Sequence, residues 1–171
     1  MAAVDLNGML KHIRAQFLLD WQGIHGAPHW SRVLDNGLRL AERTGARADV
    51  VTLFAFLHDS RRRHDGNDFE HGPLAADYAV ELGGHCFEID DAGLSLLTVA
   101  CRGHSDGLTE AEVTIQTCWD ADRLDLGRVG RCPDPRRLCT PAARDPALIE
   151  WAYQRSIGAA ARTLTPHKIS F

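Results

Sequence analysis

The sequence lacks any apolar run near the roughly 18 residues that a membrane span needs. Its first stretch, "MAAVDLNGMLKHIRAQF", lacks the basic start and apolar centre of a secretion signal. Together these absences make a cytoplasmic chain the expectation. Nor is there a stripe of lysine and arginine, and the formal net charge is -4. A nucleic-acid polymer or an anionic membrane is therefore not expected as the main partner, whereas a small phosphorylated ligand would need only a local cationic cluster. The five cysteines (Cys86, Cys101, Cys118, Cys132 and Cys139) are odd in number and form no C-x-x-C, so they point to neither a disulfide framework nor a zinc knuckle. They read as small, mostly buried hydrophobes. There is no fixed-period repeat, low-complexity tract or Pro/Gly/Ser linker, which makes residues 1–171 one expected domain. With 44% hydrophobic residues, a domain of this length can bury about two-thirds of its unfolded surface.

Alternating strand patterns are also nearly missing, and the apolar spacing that is present is helical. Leu6, Met9, Leu10, Ile13, Phe17 and Leu18 place a first helix over Asp5 to Leu19, with Asp5 as its cap. Pro28 suits the first turn of a second, whose stripe is Val33, Leu34, Leu38 and Ala41 and which Gly45 stops. After a cap at Asp49, "VVTLFAFLHD" is apolar nearly all round and predicts a central helix, although Val50, Val51 and Phe54 would also suit a buried strand. Further helical patterns run over 71–82, 89–101, 108–126 and 145–164. Thr109 and Glu112 form a capping-box pattern at the start of the third of these. The predicted fold is all-α, a bundle of six or seven helices with a long loop, "RVGRCPDPRRLCTPAARDP", before the last.

The nine histidines lie mostly beside an acid, a glycine or a helix end. The densest stretch, "LHDSRRRHDGNDFEHG" (57–72), follows the central apolar run. His58 and Asp59 are adjacent at its polar end, where successive side chains diverge by about 100°, close enough for both to reach one ion. Burying an imidazole and a carboxylate side by side without partners would cost several kcal/mol, and a metal removes that cost. His29 and Asp122 lie early and late on other helical patterns, as ligands from separate helices would. Two or more imidazoles with two carboxylates suit Mn, Fe, Co, Ni or Zn better than Mg or Ca.

The ordered set "HWSRV" (29–33), "HD" (58–59) and "DADRLD" (120–125), spanning about 25–127, resembles the HD-domain superfamily of metal-dependent phosphohydrolases. The wider stretch is similar to a bacterial branch separate from the stringent-response, cyclic-dinucleotide and dNTP triphosphohydrolase branches. The resemblance implies first-site ligands at His29, His58, Asp59 and Asp122, the last preferred over Asp120 because Asp122 and Leu124 give the D-x-L pattern. Since some members hold one ion and others two, it implies one or two divalent transition-metal ions per chain. His64, His71 and His104 fall where binuclear members recruit extra histidines. His71 and His104 are better placed at helix ends, although each is otherwise a surface or capping histidine. His25 could flank the site, whereas His12, His85 and His167 read as surface residues.

The same resemblance gives Arg62 a phosphate role, because some relatives carry a functional lysine three places after the aspartate. Nucleotidase-type relatives carry a catalytic glutamate there, which argues against that mechanism. Arg61, Arg62 and Arg63 are candidate substrate-binding residues, although three in a row cannot all face one site and the alternative is a solvated run. Asp59, or a neighbouring carboxylate, is the candidate to hold the attacking water. Arg32 and Arg123 read as partners that orient the carboxylates, and Asp125 as a partner of Arg123's neighbourhood or of His29. Asp68 and Glu70 read as loop acids, with Asp68 able to approach a second ion. Trp30 and Trp119 read as walls of the site or as stacking surfaces, and Arg131, Arg136 and Arg137 as facing water or closing over an anion. The expected activity is hydrolysis of a phosphate ester or anhydride in a small, nucleotide-like or other phosphorylated metabolite. The alternatives are a binuclear iron oxygenase of the same fold and a non-catalytic, metal-stabilised binding or regulatory module. The segment from about 128 to 171 lies outside the motif core and could shape the pocket.

Overall fold

The computed structural model describes residues 6–162. The expected Asp5 cap, the helix end at Leu164 and His167 lie outside the described residues. Seven α-helices follow one another: α1 (Leu6–Gln16), α2 (Ala27–Thr44), α3 (Ala48–Leu57), α4 (His71–Leu82), α5 (Asp91–Gly103), α6 (Val113–Arg123) and α7 (Pro146–Arg162). Among the described residues there is no strand, only one isolated bridge between Gly83 and Phe87. No described helix is long and apolar enough to cross a membrane.

The segment that also suited a strand is the central helix. In α3, Val50, Val51, Leu53, Phe54, Ala55 and Leu57 are buried over most of the circumference, with the Ala48, Thr52 and Phe56 side partly open, and the helix packs against α2, α4, α5 and α6. Such a helix carries its C-terminal residues into the middle of the molecule, where His58 and Asp59 stand. At Gly37, an added Cβ would lie 2.5 Å from Val51 Cγ1. A glycine at that position lets α2 approach α3 closely, and with it the helix carrying His29 approaches the one carrying His58.

Several local expectations shift. The cap of α3 is Arg47, while Asp49 sits inside the first turn, accepting from Val50 N at 2.8 Å and pairing with Arg47 at 2.7 Å. Glu112 itself caps α6 by accepting from Thr114 N, so the helix begins at Val113. The Thr109 capping box does not form, and the Thr109 carbonyl instead accepts from Gln116 Nε2. α1 stops at Gln16, leaving Phe17 to pack edge-on against Trp21 and Trp30 while Leu18 faces solvent. Leu38 is partly exposed at the edge of the α2 stripe.

A second apolar cluster joins Leu40 of α2 and Leu124 to Leu138, Leu148 and Ile149. It seats the C-terminal segment, whose long loop contains two 3-10 turns, Leu126–Val129 and Pro135–Arg137. The cysteines are free, with Cys101, Cys118 and Cys139 buried, Cys86 half-buried and Cys132 exposed.

Candidate metal centre

The C-terminal end of α3 meets the first turn of α2 and the last turn of α6 in the buried middle of the bundle. His29 Nε2 lies 3.1 Å from His58 Nε2, 3.5 Å from Asp59 Oδ2 and 3.4 Å from Asp122 Oδ1. His58 Nε2 is 3.7 Å from Asp59 Oδ2 and 3.8 Å from Asp122 Oδ1. The other oxygen of Asp59 faces a second group. Asp59 Oδ1 is 3.3 Å from His71 Nε2 and 3.6 Å from His104 Nε2, and the two imidazole nitrogens are 2.8 Å apart. Thus His29, His58 and Asp59 form one cluster able to hold an ion, and Asp59, His71 and His104 form another. Asp122 Oδ1 adjoins the first.

The opposite nitrogen of each ring shows which atoms are free to coordinate. His29 Nδ1 meets Asp125 Oδ2 at 2.7 Å. His58 Nδ1 meets the Phe54 carbonyl at 3.1 Å, His104 Nδ1 the Cys101 carbonyl at 2.7 Å, and His71 Nδ1 the Asp68 carbonyl. These oxygens only accept, so each Nδ1 donates and each ring turns its Nε2 inward, the atom left to coordinate once it carries no proton. Two pairs of ring nitrogens then face each other within 3.1 Å or less, and the buried Asp122 Oδ1 has no hydrogen bond. A divalent cation would satisfy these atoms, and the mixed nitrogen and oxygen donors fit a transition metal better than calcium or magnesium.

The charges around the first group are strongly coupled. Burial and the Arg128 charge work against protonation of His29, but Asp122, Asp125 and Asp59 outweigh them and raise its pKa to about 9. Burial pushes His58 down to about 3. Burial disfavours the Asp59 carboxylate, yet the imidazoles around it hold its pKa well below the usual range. Asp122 is likewise held low against burial, by His29 and Arg128. In the second group, burial opposes and Asp59 favours the proton on His104, whose pKa is raised.

Outside the two groups, Asp125 is the partner of His29. Arg32 clamps Asp125 with Nε to Oδ1 at 2.6 Å and Nη2 to Oδ2 at 3.0 Å, a bidentate grip that fixes the carboxylate plane. Arg123 does not orient a ligand. It donates to the Arg137 and Leu108 carbonyls and so ties the long loop to α6. Asp120, the alternative to Asp122, points away and accepts from Cys139 N, Thr140 N and Thr140 Oγ1 at 2.6–2.8 Å.

The three consecutive arginines diverge. Arg62 Nε meets Asp59 Oδ1 at 2.9 Å. Arg61 reaches Gln16 and stacks over Tyr78, and Arg63 pairs with Glu70 at the surface. Neither Arg61 nor Arg63 is brought to the centre. His64, His12 and His85 are exposed, whereas His25 is buried with Nδ1 on Asp65 Oδ1 at 2.8 Å and its ring 6.5 Å from that of His29. Asp68 holds the Arg63 and Glu70 amides with its carboxylate and orients His71 through its carbonyl. Trp30 and Trp119 are buried core residues. Arg131, Arg136 and Arg137 are exposed.

Two residues absent from the sequence reading also stand here. Ser105 Oγ lies 3.3 Å from His71 Nε2. Arg128 is next to Asp122. Its signal was its place three residues after Asp125 on the turn that leaves α6. An open cavity lined by Arg62, Asp68, His71, Gly72, Arg102 and Ser105 gives access to the second group.

No family model matches the chain, and no curated protein does. Among solved structures, the chain is similar to a protein described as a predicted HD superfamily hydrolase from an uncultured Thermotogales bacterium. The identity is 26% and the TM-score 0.67, over 94% of this chain and 92% of that one. The all-α fold, with its buried histidine and aspartate groups, is HD-domain-like.

Proposed function

We propose that the protein is a metal-dependent hydrolase of a phosphate ester or anhydride. Its substrate would be small: a nucleotide-like compound or another phosphorylated metabolite, rather than a nucleic-acid polymer. The observation that carries this reading is the single carboxylate of Asp59 presented to two ligand groups at once, Oδ2 to His29 and His58, Oδ1 to His71 and His104. The similar solved protein, itself described as a hydrolase, supports it.

His29, His58, Asp59 and Asp122 would hold one ion, and Asp59, His71 and His104 a second, of the Mn, Fe, Co, Ni or Zn class. Bound there, such an ion lowers the pKa of water from about 15.7 toward about 7 and polarises a phosphoryl oxygen. The chain's own groups set the rest. Asp59, pinned by Arg62 Nε, stands between the two groups and is the carboxylate placed to orient an attacking water. Arg62 also lines the cavity beside His71 and Ser105, so its guanidinium can receive a phosphoryl oxygen entering from that side. Burial of the ligands excludes competing water.

Protein loaded with Mn, Co or Ni and offered phosphomonoesters, phosphodiesters and nucleotides should release product. His58→Ala should reduce turnover to the uncatalysed background, and unchanged turnover in that variant would overturn the proposal.

A further inference from the structure

Hydrolysis of a phosphate needs positive charge over the phosphoryl oxygens, and of the three arginines after the His58–Asp59 pair only Arg62 reaches the centre. A second guanidinium stands on the Asp122 side. The Arg128 side chain is only 9% exposed. Its Nε donates to the Ile24 carbonyl at 2.9 Å and its Nη1 to the Asp125 carbonyl at 3.1 Å. Those bonds fix the guanidinium plane. They leave Nη2 without a hydrogen bond among the described residues, because the nearest carboxylate oxygen, Asp122 Oδ1, is 3.7 Å away. That oxygen is itself buried and unbonded.

A largely buried guanidinium and a largely buried carboxylate thus face each other at a distance that balances charge but makes no bond. Once Asp122 is a metal ligand, its negative charge is shared with the cation, and Arg128 is left to face the next anion to arrive. Arg62 and Arg128 are also both tied to the surroundings of His25. Arg128 holds the carbonyl of Ile24, the residue before His25. Arg62 holds the carbonyl of Gly66, the residue after Asp65, which is bonded to His25.

We infer that Arg128 is a catalytic residue that binds an oxygen of the substrate's phosphoryl group through Nη2, together with Arg62. The inference rests on the hydrolase reading for the identity of the anion, and on the side-chain geometry for the site. A phosphoryl group offers three or more oxygens, enough to meet both guanidiniums and a metal ion at once.

The test is orthophosphate binding, measured by calorimetry on Mn-loaded protein, alongside elemental analysis of bound Mn. Arg128→Ala should weaken orthophosphate binding about 10- to 100-fold, as expected for lost charge-assisted hydrogen bonds, with bound Mn unchanged. Added guanidinium ion should restore much of the binding in that variant. Arg128→Lys, which keeps the charge and the stem, guards against a folding failure and should fall between wild type and Arg128→Ala. Unchanged orthophosphate binding in a folded Arg128→Ala or Arg128→Lys protein would overturn the inference. Wild-type protein that binds orthophosphate through Arg128 yet hydrolyses no ester would sink the hydrolase reading, and with it the catalytic role, and leave the phosphate site at Arg128 standing. Hydrolysis that is equally fast in Arg128→Ala would do the reverse.

Discussion

His29 and His58 come from consecutive helices, α2 and α3, but are completed by Asp122 from the distant α6, whereas His71 and His104 meet where α4 begins and the next helix, α5, ends. The acceptor that orients His29 is a carboxylate 96 residues away, itself clamped by Arg32. The acceptors for His71 and His104 are backbone carbonyls three residues back. The first group therefore depends on closure of the whole bundle and on a buried chain of charges. The second depends on two local turns and on how closely α4 and α5 approach. The difference extends to access, since the open cavity reaches the second group through His71 and Ser105.

The largest effect should come where the two halves share an atom pair. Asp59→Ala removes a donor from both groups, so it should eliminate ion binding at both and reduce turnover to background. Elemental analysis showing one ion retained at full occupancy would mean that the groups are independent. A second change separates them. A Cβ at Gly72 would lie 2.8 Å from the Arg102 carbonyl and 2.9 Å from the Cys101 carbonyl, and the latter is the oxygen that orients His104. Backbone cannot yield as a side chain tip can. Gly72→Ala should therefore spread α4 from α5 at a cost of about 1–3 kcal/mol. If each group holds an ion as proposed, bound metal should fall from two equivalents to one, with the first group intact, as read by thermal unfolding and metal content.

The complementary change acts on the first group alone. Asp125→Asn leaves the shape but removes the charge facing His29 and Arg32, and should weaken the first ion by about 10- to 100-fold. The second ion should be unaffected. Competition with a chelator, followed ion by ion, would show whether the weakening is confined in this way.

How much of this was legible in the sequence follows the same division between local and distant. His58 and Asp59 stood out because a run apolar all round ended in them, and His71 because it opened a helical pattern that the structure reproduces as His71–Leu82. Arg62 had a local signal, its i,i+3 relation to Asp59, which the flanking Arg61 and Arg63 lack. Asp120 had none. Its partners lie 19 and 20 residues onward, in a loop whose path no spacing rule gives. Arg128 had only its place three residues after Asp125 to mark it, and its bond to Ile24 spans 104 residues. Arg123 carried the same difficulty in reverse, because it adjoins a ligand in sequence but points its guanidinium to loop carbonyls. Caps at Arg47 and Glu112 differed from the predicted Asp49 and Thr109 because an acid near a helix start can serve the first turn from either side of the boundary.

The mildest contrast between the halves is in their pH dependence. Without metal, the carboxylates around His29 keep a proton on it up to about pH 9, above its ordinary 6.5. That proton stabilises the metal-free fold fully below pH 6.5, and the contribution is lost as pH rises through about 9. An ion at the first group must displace the same proton to reach Nε2. Its apparent affinity should therefore climb by up to about tenfold per pH unit toward pH 9 and then level off. Near neutral pH, calorimetry in buffers of different ionisation enthalpy should show close to one proton released by His29 on loading. In Asp125→Asn, which lacks one of the carboxylates that hold the proton, the rise should level off at lower pH. A plateau at the same pH in wild type and variant would mean that Asp125 orients the His29 ring without setting its charge.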